Sequence, residues 1–353
     1  MTGRPGFVFA PERADPATTL YVDGTEAGFR SLSHWPGNGT PAALKHDLST
    51  GIALAWARLS PAERRALLGT FTQVANNHYD TDGALSAFAL LRPEEALRRE
   101  GPMLAAAATG DFSVWRGEEA LAVDLTVMNL TRSPASPLAG RLPEGATDQQ
   151  RWAAGYAWLL EHLPAVLDDP FAHRALWAER HARIVADVGR IEAGTGVSVR
   201  TFAEDDLALV SSDRAMTSIG LNLAAGDATR VLLVRPSAAG FRYLFRYRVE
   251  SWFELVSRKP PRRVELSGVV AALDRAEAQA VRRGARSPEP AGRWWCGQLE
   301  DPVCELGFGA AGGRTGSPFD DPEIEDQPHS ALLPSAVIDI LRAAFKPATA
   351  AAR

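Results

Sequence analysis

The sequence predicts an α/β protein with a parallel-sheet N-terminal domain, a helical connector and a smaller α+β C-terminal domain. Strand-like and helix-like segments alternate through the first third of the chain, an order typical of parallel sheets. A run rich in proline and glycine, 133–147, separates this part from helical sequence, and short strand patterns dominate from Val197 onward. These three observations place the domains at 1–132, 133–195 and 196–353.

The composition is that of a globular protein without a membrane-spanning segment. Hydrophobic residues make up 46% of the 353 residues, and even a long aliphatic run such as 231–234 is far shorter than the roughly 20 residues of a spanning helix. The N-terminus lacks the apolar core of a secretory signal, so we expect a cytoplasmic protein. The net charge of −5 argues against non-specific nucleic-acid binding. Cys296 and Cys304 lack CxxC spacing, which predicts reduced thiols and no thiolate metal site.

The elements of the first domain are assigned from hydrophobic periodicity and helix-start signals. Thr40 suits a helix N-cap, and Pro41 suits the first turn, whose N–H groups have no partner within the helix. Further along, Leu85, Phe88 and Leu91 recur at helical spacing. The predicted elements are strands 19–22 and 71–75, and helices 41–58, from 61, from 83 to 93, and around 104–108.

Helical patterns dominate from Gln149 to about Arg190. Breaks are expected at Pro164 and Pro170, because proline lacks the N–H that an interior helical residue donates. In the remaining sequence, short strand patterns alternate with helical ones, and 236–240 is predicted to form a hairpin turn. The predicted strands are 197–202, 207–211, 230–234 and 241–249, and the predicted helices are 216–225, 267–282 and 335–345.

Acidic and imidazole side chains follow the predicted strands of the first domain. Open α/β sheets place ligands beyond the carboxyl ends of their strands. Carboxylates suit hard cations such as Mg²⁺ and Mn²⁺, and imidazole favours Mn²⁺. Paired ions of this kind activate water and hold a phosphoryl group. The candidate metal ligands are Asp23, His78, Asp80, Asp82 and Asp111, and His34 is a candidate ligand or acid, so that His34 and His78 are the candidate catalytic residues.

Several of these residues also have a purely structural interpretation. Asp80 and Asp82 are equally suited to cap the following helix, with His78 packing beside it. Asp111 is either a further ligand or a helix cap. A role for Asp23 requires that its strand neighbours the strand that precedes His78.

Other residues are candidates for holding a substrate phosphate. Gly83 is expected to permit a tight bend before a helix whose N-terminus favours anions, and Ser86 in its first turn is a candidate donor. Arg248 or Arg258 is a candidate for a bidentate contact with phosphate or carboxylate. The alternative for Arg248 is a half-buried strand whose arginines face solvent.

Four segments resemble the landmarks of an uncharacterised bacterial family of unknown function, DUF6687. They are Leu-Ser-His-Trp-Pro-Gly at 32–37, Asn-Asn-His-Tyr-Asp-Thr-Asp-Gly at 76–83, Gly-Asp-Phe at 110–112 and Arg-Val-Glu-Ser-Trp at 248–252. The resemblance extends along nearly the whole chain. It implies no particular activity.

The stretch 78–90 is also similar to the first motif of the DHH phosphoesterases, in which a histidine and two aspartates help to hold two Mn²⁺ ions ahead of a helix. This resemblance implies a parallel-sheet domain, a helical connector and a smaller substrate domain. It also implies a metal-dependent hydrolase acting on a nucleotide or another phosphorylated small molecule. Ser257 and Arg258 look like the family's phosphate-contacting serine–arginine element. The chain has no Asp-His-His triplet, so a catalytically inactive nucleotide- or phosphometabolite-binding protein is the alternative hypothesis.

Overall fold

The protein is a mixed α/β structure with one parallel sheet, one mixed sheet and helices packed on both. Within the part of the chain that the structure describes, no helix combines the length and the apolar character needed to cross a membrane. The computed structural model describes residues 5–10, 14–284, 292–309, 320–322 and 324–346.

The chain divides into two compact units whose sequences interleave. The first unit contains the residues up to Arg183, and the segment Phe253–Lys259 returns to it. The second unit contains Ile184–Trp252 and the residues from Pro260 onward.

A four-stranded parallel sheet forms the centre of the first unit. Its strands are β1 (Gly6–Phe9), β2 (Thr19–Val22), β3 (Arg30–Leu32) and β4 (Gln73–Asn76). Their order in the sheet is β1-β4-β2-β3, and every pairing is parallel. Leu20, Val22 and Val74 are fully buried, as expected for parallel strands that are covered on both faces. The sheet therefore places the end of β2 between the ends of β3 and β4.

Helices cover this sheet. They are α1 (Ser49–Arg58), α2 (Pro61–Leu68), α3 (Thr81–Leu91), α4 (Pro93–Leu97), α5 (Glu100–Phe112), α6 (Glu118–Leu130), α7 (Asp148–Asp168) and the first turns of α8 (Ala178–Glu192). Helix α3 is buried along almost its whole length, so it is the central helix of the unit. Helix α2 begins with a capping box, in which Ser60 Oγ accepts from Glu63 N and Glu63 Oε2 accepts from Ser60 N.

The structure corrects two helix predictions in this unit. The helix predicted from Pro41 begins only at Ser49, because Asp82 accepts hydrogen bonds from the N–H groups of its first turn. The predicted break at Pro164 is wrong, since α7 continues to Asp168 and buries a regular apolar face. Strands β1 and β3 and helix α6 had not been predicted. The predicted strand 71–75 is shifted to 73–76.

A six-stranded mixed sheet forms the second unit. Its strands are β5 (Val197–Phe202), β6 (Leu207–Ser212), β7 (Arg230–Ser237), β8 (Gly240–Tyr247), β9 (Arg293–Cys296) and β10 (Glu305–Gly309), and their order is β5-β6-β7-β8-β10-β9. Its helices are α9 (Ser218–Ala225), α10 (Ser267–Arg282) and α11 (Pro334–Phe345). The predicted hairpin is confirmed, with Ser237 paired to Gly240. The strand predicted to end at Val249 ends at Tyr247, and β9 and β10 had not been predicted.

Candidate metal centre

Three neighbouring strands of the first unit end beside one another. Asp23 follows β2 directly, His34 lies two residues after β3, and His78 lies two residues after β4. Strand β2 pairs in parallel with both β3 and β4, so the strand of Asp23 does neighbour the strand that precedes His78. The carboxyl ends of parallel strands meet at one edge of a sheet, and this edge gathers the three side chains.

Two helices bring further carboxylates to the same edge. Asp80 is the N-cap of α3, and Asp82 lies in its first turn. Asp111 lies in the last turn of α5, which ends one residue later. The candidate ligands predicted from the sequence are thereby assembled from five elements.

One group of ligand atoms is almost entirely buried, and we call it the closed half. It consists of Asp23, His34, Asp82 and Asp111, whose ligand atoms all lie within 4.8 Å of one another. His34 Nε2 is 3.2 Å from Asp111 Oδ2, 3.5 Å from Asp23 Oδ1 and 3.8 Å from Asp82 Oδ2. No side chain of the group is more than 6% exposed.

A second group shares Asp23 with the first, and we call it the open half. It consists of Asp23, His78 and Asp80. His78 Nε2 is 3.1 Å from Asp23 Oδ2 and 3.0 Å from Asp80 Oδ2. The side chains of His78 and Asp80 are 24% and 31% exposed, so solvent reaches this half. Trp35 lies beside it, with its ring 5.1 Å from that of His78.

The orientation of the His34 ring is fixed by a hydrogen bond to the backbone. Its Nδ1 is 2.5 Å from the carbonyl oxygen of Asp47, and because that oxygen can only accept, Nδ1 carries the hydrogen. In neutral imidazole, Nε2 then presents a lone pair to the carboxylates. His34 Nε2 makes no hydrogen bond with any described residue, although it is buried. With Nδ1 held by a backbone carbonyl, Nε2 is directed at three carboxylate oxygens, which is the arrangement of a metal-binding histidine once Nε2 has released its proton.

The cluster carries an excess of negative charge. Four carboxylates face two imidazoles, so at least two negative charges would be uncompensated within the cluster if all four carboxylates were ionised, even with both rings protonated. Burial, reinforced by the charge of Asp23, raises the pKa of Asp82 to about 7. Burial and the charge of Asp82 raise the pKa of Asp111 well above its usual value. A bound cation would remove this repulsion.

The surrounding carboxylates stabilise the protonated form of His34. Burial by itself lowers the pKa of His34, but Asp111 and Asp23 outweigh it and raise this pKa well above its usual value. Burial likewise raises the pKa of Asp23, but its contacts with His34 and His78 outweigh burial and lower this pKa. Asp23 is therefore the carboxylate that is most strongly held in its charged form.

Backbone and hydroxyl groups of α1 hold the carboxylates in place. Asp82 Oδ2 and Oδ1 each accept a 2.7 Å hydrogen bond, from Ser49 N and Thr50 N respectively. Ser49 Oγ donates to Asp23 Oδ1 at 2.8 Å. Asp23 has a φ of +47°, a left-handed conformation that is uncommon outside glycine. Such conformations cluster at functional sites, where the surrounding structure holds them.

The capping interpretation holds for one of the two aspartates of the turn. Asp80 Oδ1 accepts from Gly83 N at 2.8 Å and thereby caps α3, while Oδ2 faces His78. Asp82 does not cap its own helix, because both of its oxygens accept from α1. Capping and ligand roles are thus compatible in Asp80.

The structure gives different roles to the glycine and the serine of α3. Gly83 lies inside the helix and does not make a tight bend; an added Cβ would lie 2.6 Å from Asn76 Nδ2 and 2.7 Å from Tyr156 Oη, so close packing requires glycine. Ser86 is fully buried, and its Oγ donates to Gly83 O within the helix at 3.0 Å. The predicted phosphate contact of Ser86 has no support from these bonds.

The two candidate arginines lie in different units. Arg248 is buried in the second unit, where Nη1 donates to Gly226 O and Ala228 O and Nη2 pairs with Glu250. The alternative interpretation, in which Arg248 faces solvent from a half-buried strand, is therefore wrong, and these contacts give no support for a substrate role either. Arg258 is half-buried in the segment that returns to the first unit, and its substrate contact stays a prediction.

The sequence analysis did not identify the residues that surround the ligands. Ser49 and Thr50 bind the carboxylates, and Asp47 orients His34. A serine and a threonine at a helix start are a recognisable capping signal, but here the carboxylate of Asp82, from another helix, caps α1 by accepting from their backbone N–H groups. Phe253, whose ring stacks on His34 with 3.8 Å between centroids, has no local sequence signal.

The fold and the cluster define an α/β protein with a buried group of aspartates and histidines that could hold a metal ion. The model of a family described as of unknown function, DUF6687, matches residues 5–353. The chain therefore belongs to this family, as its landmark segments predicted. Comparison with curated proteins and with solved structures gives no match. These comparisons lend no support to the likeness to DHH phosphoesterases.

Proposed function

We propose that this protein is a metal-dependent phosphoesterase-like hydrolase that acts on a nucleotide or another phosphorylated small molecule. The observation that carries the proposal is the shared carboxylate of Asp23. Its Oδ1 faces His34 and its Oδ2 faces His78, so one residue belongs to both ligand groups. A carboxylate placed in this way is suited to bridge two cations.

Two cations a few ångströms apart activate a water molecule and hold a phosphoryl group. The closed half is buried and offers one nitrogen and three carboxylates, so it is suited to retain an ion. The open half has fewer protein ligands and is reached by solvent, so it leaves room for water and substrate. Carboxylate oxygen together with imidazole nitrogen favours Mn²⁺ over Mg²⁺.

The protein side chains have distinct tasks in this proposal. His34 and His78 act as ligands through Nε2, because that atom of each faces carboxylates. Asp82 is held by the N–H groups of α1, which keeps its oxygens in place when a cation is absent. Arg258 is the candidate for holding the substrate phosphate, since it is a cation of the same unit.

Metal content and hydrolysis test the proposal together. Purified protein is stripped with EDTA and titrated with Mn²⁺, and turnover of p-nitrophenyl phosphate and bis(p-nitrophenyl) phosphate is measured. We expect two bound Mn²⁺ per chain and Mn²⁺-dependent turnover, both lost in Asp23→Asn. The exposed helical Asp339 serves as a matched control, since Asp339→Asn leaves the cluster intact.

The possible outcomes distinguish the metal-dependent hydrolase from the alternative hypothesis, a catalytically inactive binding protein. A protein that binds neither Mn²⁺ nor Mg²⁺ does not contain the proposed metal centre. A protein that binds Mn²⁺ and nucleotides tightly but hydrolyses no phosphoester would instead be a binding protein on the same scaffold.

A further inference from the structure

The segment Phe253–Lys259, which we call the clamp segment, is bound to the loop that carries His34. The clamp segment follows Trp252 of the second unit and precedes Pro260 of the same unit, yet it is part of the first unit. It contains no helix or strand. Its position is therefore set by specific contacts with the loop, and these contacts are concentrated around His34.

The clamp segment holds the beginning of this loop. Glu254 N donates to the carbonyl oxygen of His34 at 2.8 Å. The Glu254 carboxylate accepts from Gly37 N at 3.0 Å and from Asn38 Nδ2 at 2.8 Å. It also pairs with Lys45 Nζ at 2.8 Å. Burial would raise the pKa of Glu254, but these partners outweigh burial and lower it.

The clamp segment also holds the end of the loop. Asp47 Oδ1 accepts from Val256 N at 2.6 Å and from Ser257 N at 2.9 Å. The backbone carbonyl of the same aspartate accepts from His34 Nδ1. Asp47 therefore links the clamp segment to His34. Its side chain binds the backbone of the clamp segment, and its own backbone carbonyl holds the His34 ring.

The ring of Phe253 completes the enclosure of His34. The two rings are stacked, with centroids 3.8 Å apart and planes inclined by 19°. Phe112, the neighbour of Asp111, packs edge-on against Phe253 with centroids 5.9 Å apart. The imidazole is thus covered on one face by Phe253, held at Nδ1 by Asp47, and left with only Nε2 directed at the carboxylates.

We propose that the clamp segment is a positioning element of the metal centre, which holds His34 as a ligand of the closed half and thereby determines how tightly that half binds its cation. This inference rests on the metal centre of the proposed function. Phe253 is a positioning residue, because it acts on the cation only through His34. The contacts of the clamp segment described above are with His34 and its loop, so we expect substitutions in the segment to act mainly on the closed half.

Calorimetric titration of EDTA-treated protein with Mn²⁺ tests this inference. We expect Phe253→Ala to weaken one of the two Mn²⁺ sites by about 10–100-fold, the range found when residues behind metal ligands are removed. The other site keeps its affinity. Phe253→Tyr, which retains a flat ring, restores the weakened site. Phe171→Ala is the matched control, because it removes an aromatic ring packed near a different histidine, His181.

A double-mutant cycle separates positioning from general damage to the fold. If Phe253 acts through His34, then adding Phe253→Ala to His34→Ala causes no further loss of Mn²⁺ affinity. Additive losses would overturn the proposal. Phe253→Leu, which keeps most of the buried volume, replaces Phe253→Ala in the same cycle if circular dichroism shows that the alanine variant is unfolded.

Failure of the clamp and failure of the metal centre give different results. Wild-type protein that binds two Mn²⁺, together with Phe253 variants that bind both with unchanged affinity, overturns the clamp and leaves the proposed function standing. Wild-type protein that binds no Mn²⁺ overturns both.

Discussion

Asp80 and Asp82 are separated by a single residue, yet they face different halves of the candidate metal centre. Asp80 Oδ2 lies 3.0 Å from His78 Nε2, whereas Asp82 Oδ2 lies 3.8 Å from His34 Nε2. Asp80 has an extended backbone, and the helix begins with the next residue. This change of conformation between the two residues turns their side chains in different directions, so one short turn supplies both halves.

We therefore predict that Asp80→Asn and Asp82→Asn each remove a different cation. Each variant should bind one Mn²⁺ where the wild type binds two, because each loses a charged ligand of one half only. Water-proton relaxation identifies the remaining ion: it is enhanced when Mn²⁺ occupies the open half and weak when Mn²⁺ occupies the closed half. Loss of both ions from Asp80→Asn would contradict the division into halves.

Asp111→Asn should have opposite effects on stability with and without Mn²⁺. Without metal, burial and the charge of Asp82 disfavour the ionised form of Asp111, so replacing this carboxyl by a neutral amide should raise the free energy of unfolding by about 1–2 kcal/mol. With saturating Mn²⁺, it removes a ligand, so the stabilisation by metal should be smaller than the roughly 2.7 kcal/mol expected at 100 times the dissociation constant. Urea denaturation in EDTA and in Mn²⁺ measures both quantities. Destabilisation in EDTA would show that the apo cluster is not repulsive.

The buried carboxyl group of Asp124 is predicted to lower the stability of the fold at high pH, where it is ionised. Burial raises the pKa of this carboxyl to about 6. The folded state therefore binds the proton more tightly than the unfolded chain does, and the stability due to this group falls as the pH rises from about 4 to 6. Asp124→Asn should raise the free energy of unfolding at pH 8 by up to about 3 kcal/mol and change it little at pH 4. Its amide oxygen can still accept from Thr81 Oγ1, which is the bond that Asp124 makes.

The comparison of pH 4 with pH 8 serves as the control for Asp124→Asn. Denaturation in EDTA at both pH values isolates the carboxyl from any bound metal. An equal change in stability at pH 4 and pH 8 would show that packing, and not ionisation, is responsible.

Gly83→Ala should disturb the open half without changing any ligand. The new Cβ would press on the side chains of Asn76 and Tyr156. Both side chains hold the backbone of His78: Asn76 Oδ1 accepts from His78 N at 2.8 Å, and Tyr156 Oη donates to the His78 carbonyl oxygen at 3.1 Å. We expect a loss of about 1–3 kcal/mol in stability and weaker Mn²⁺ binding at one site. Gly268→Ala is the matched helical control, since no atom lies within 4 Å of its added Cβ, and a slight stabilisation is expected there.

The ligand positions could be predicted from the sequence because parallel strands end at a common edge. Asp23 and His78 follow segments with clear strand patterns, and the chain order places their strands in one sheet. Strand β3, which leads to His34, is only three residues long and includes Arg30, so periodicity does not reveal it. Asp111 was expected near a helix end and lies in the last helical turn.

Contacts between distant parts of the chain could not be predicted. In the sequence, strands β5 to β8 of the second unit lie between His34 and Phe253, and nothing in the local sequence of Phe253 indicates their contact. Arg248 was expected to face solvent or substrate because strand alternation exposes alternate residues; the strand ends one residue earlier, and Glu250 neutralises the arginine within the interior. Glu250, two positions after Arg248, is the local sequence feature that could have indicated this ion pair.

The order of strands in the parallel sheet makes cation capture a late step in folding. Strand β4 must pair with β2 before the turn that carries His78 can meet Asp23, and such non-local pairing is slow compared with helix formation. No single hairpin, helix pair or strand pair of the first unit holds all the ligands of the closed half, which come from the ends of β2 and β3 and from α3 and α5. An ion tightly held in the closed half would consequently report that these four elements have assembled, and a truncated or misfolded chain would be distinguishable by its inability to retain one.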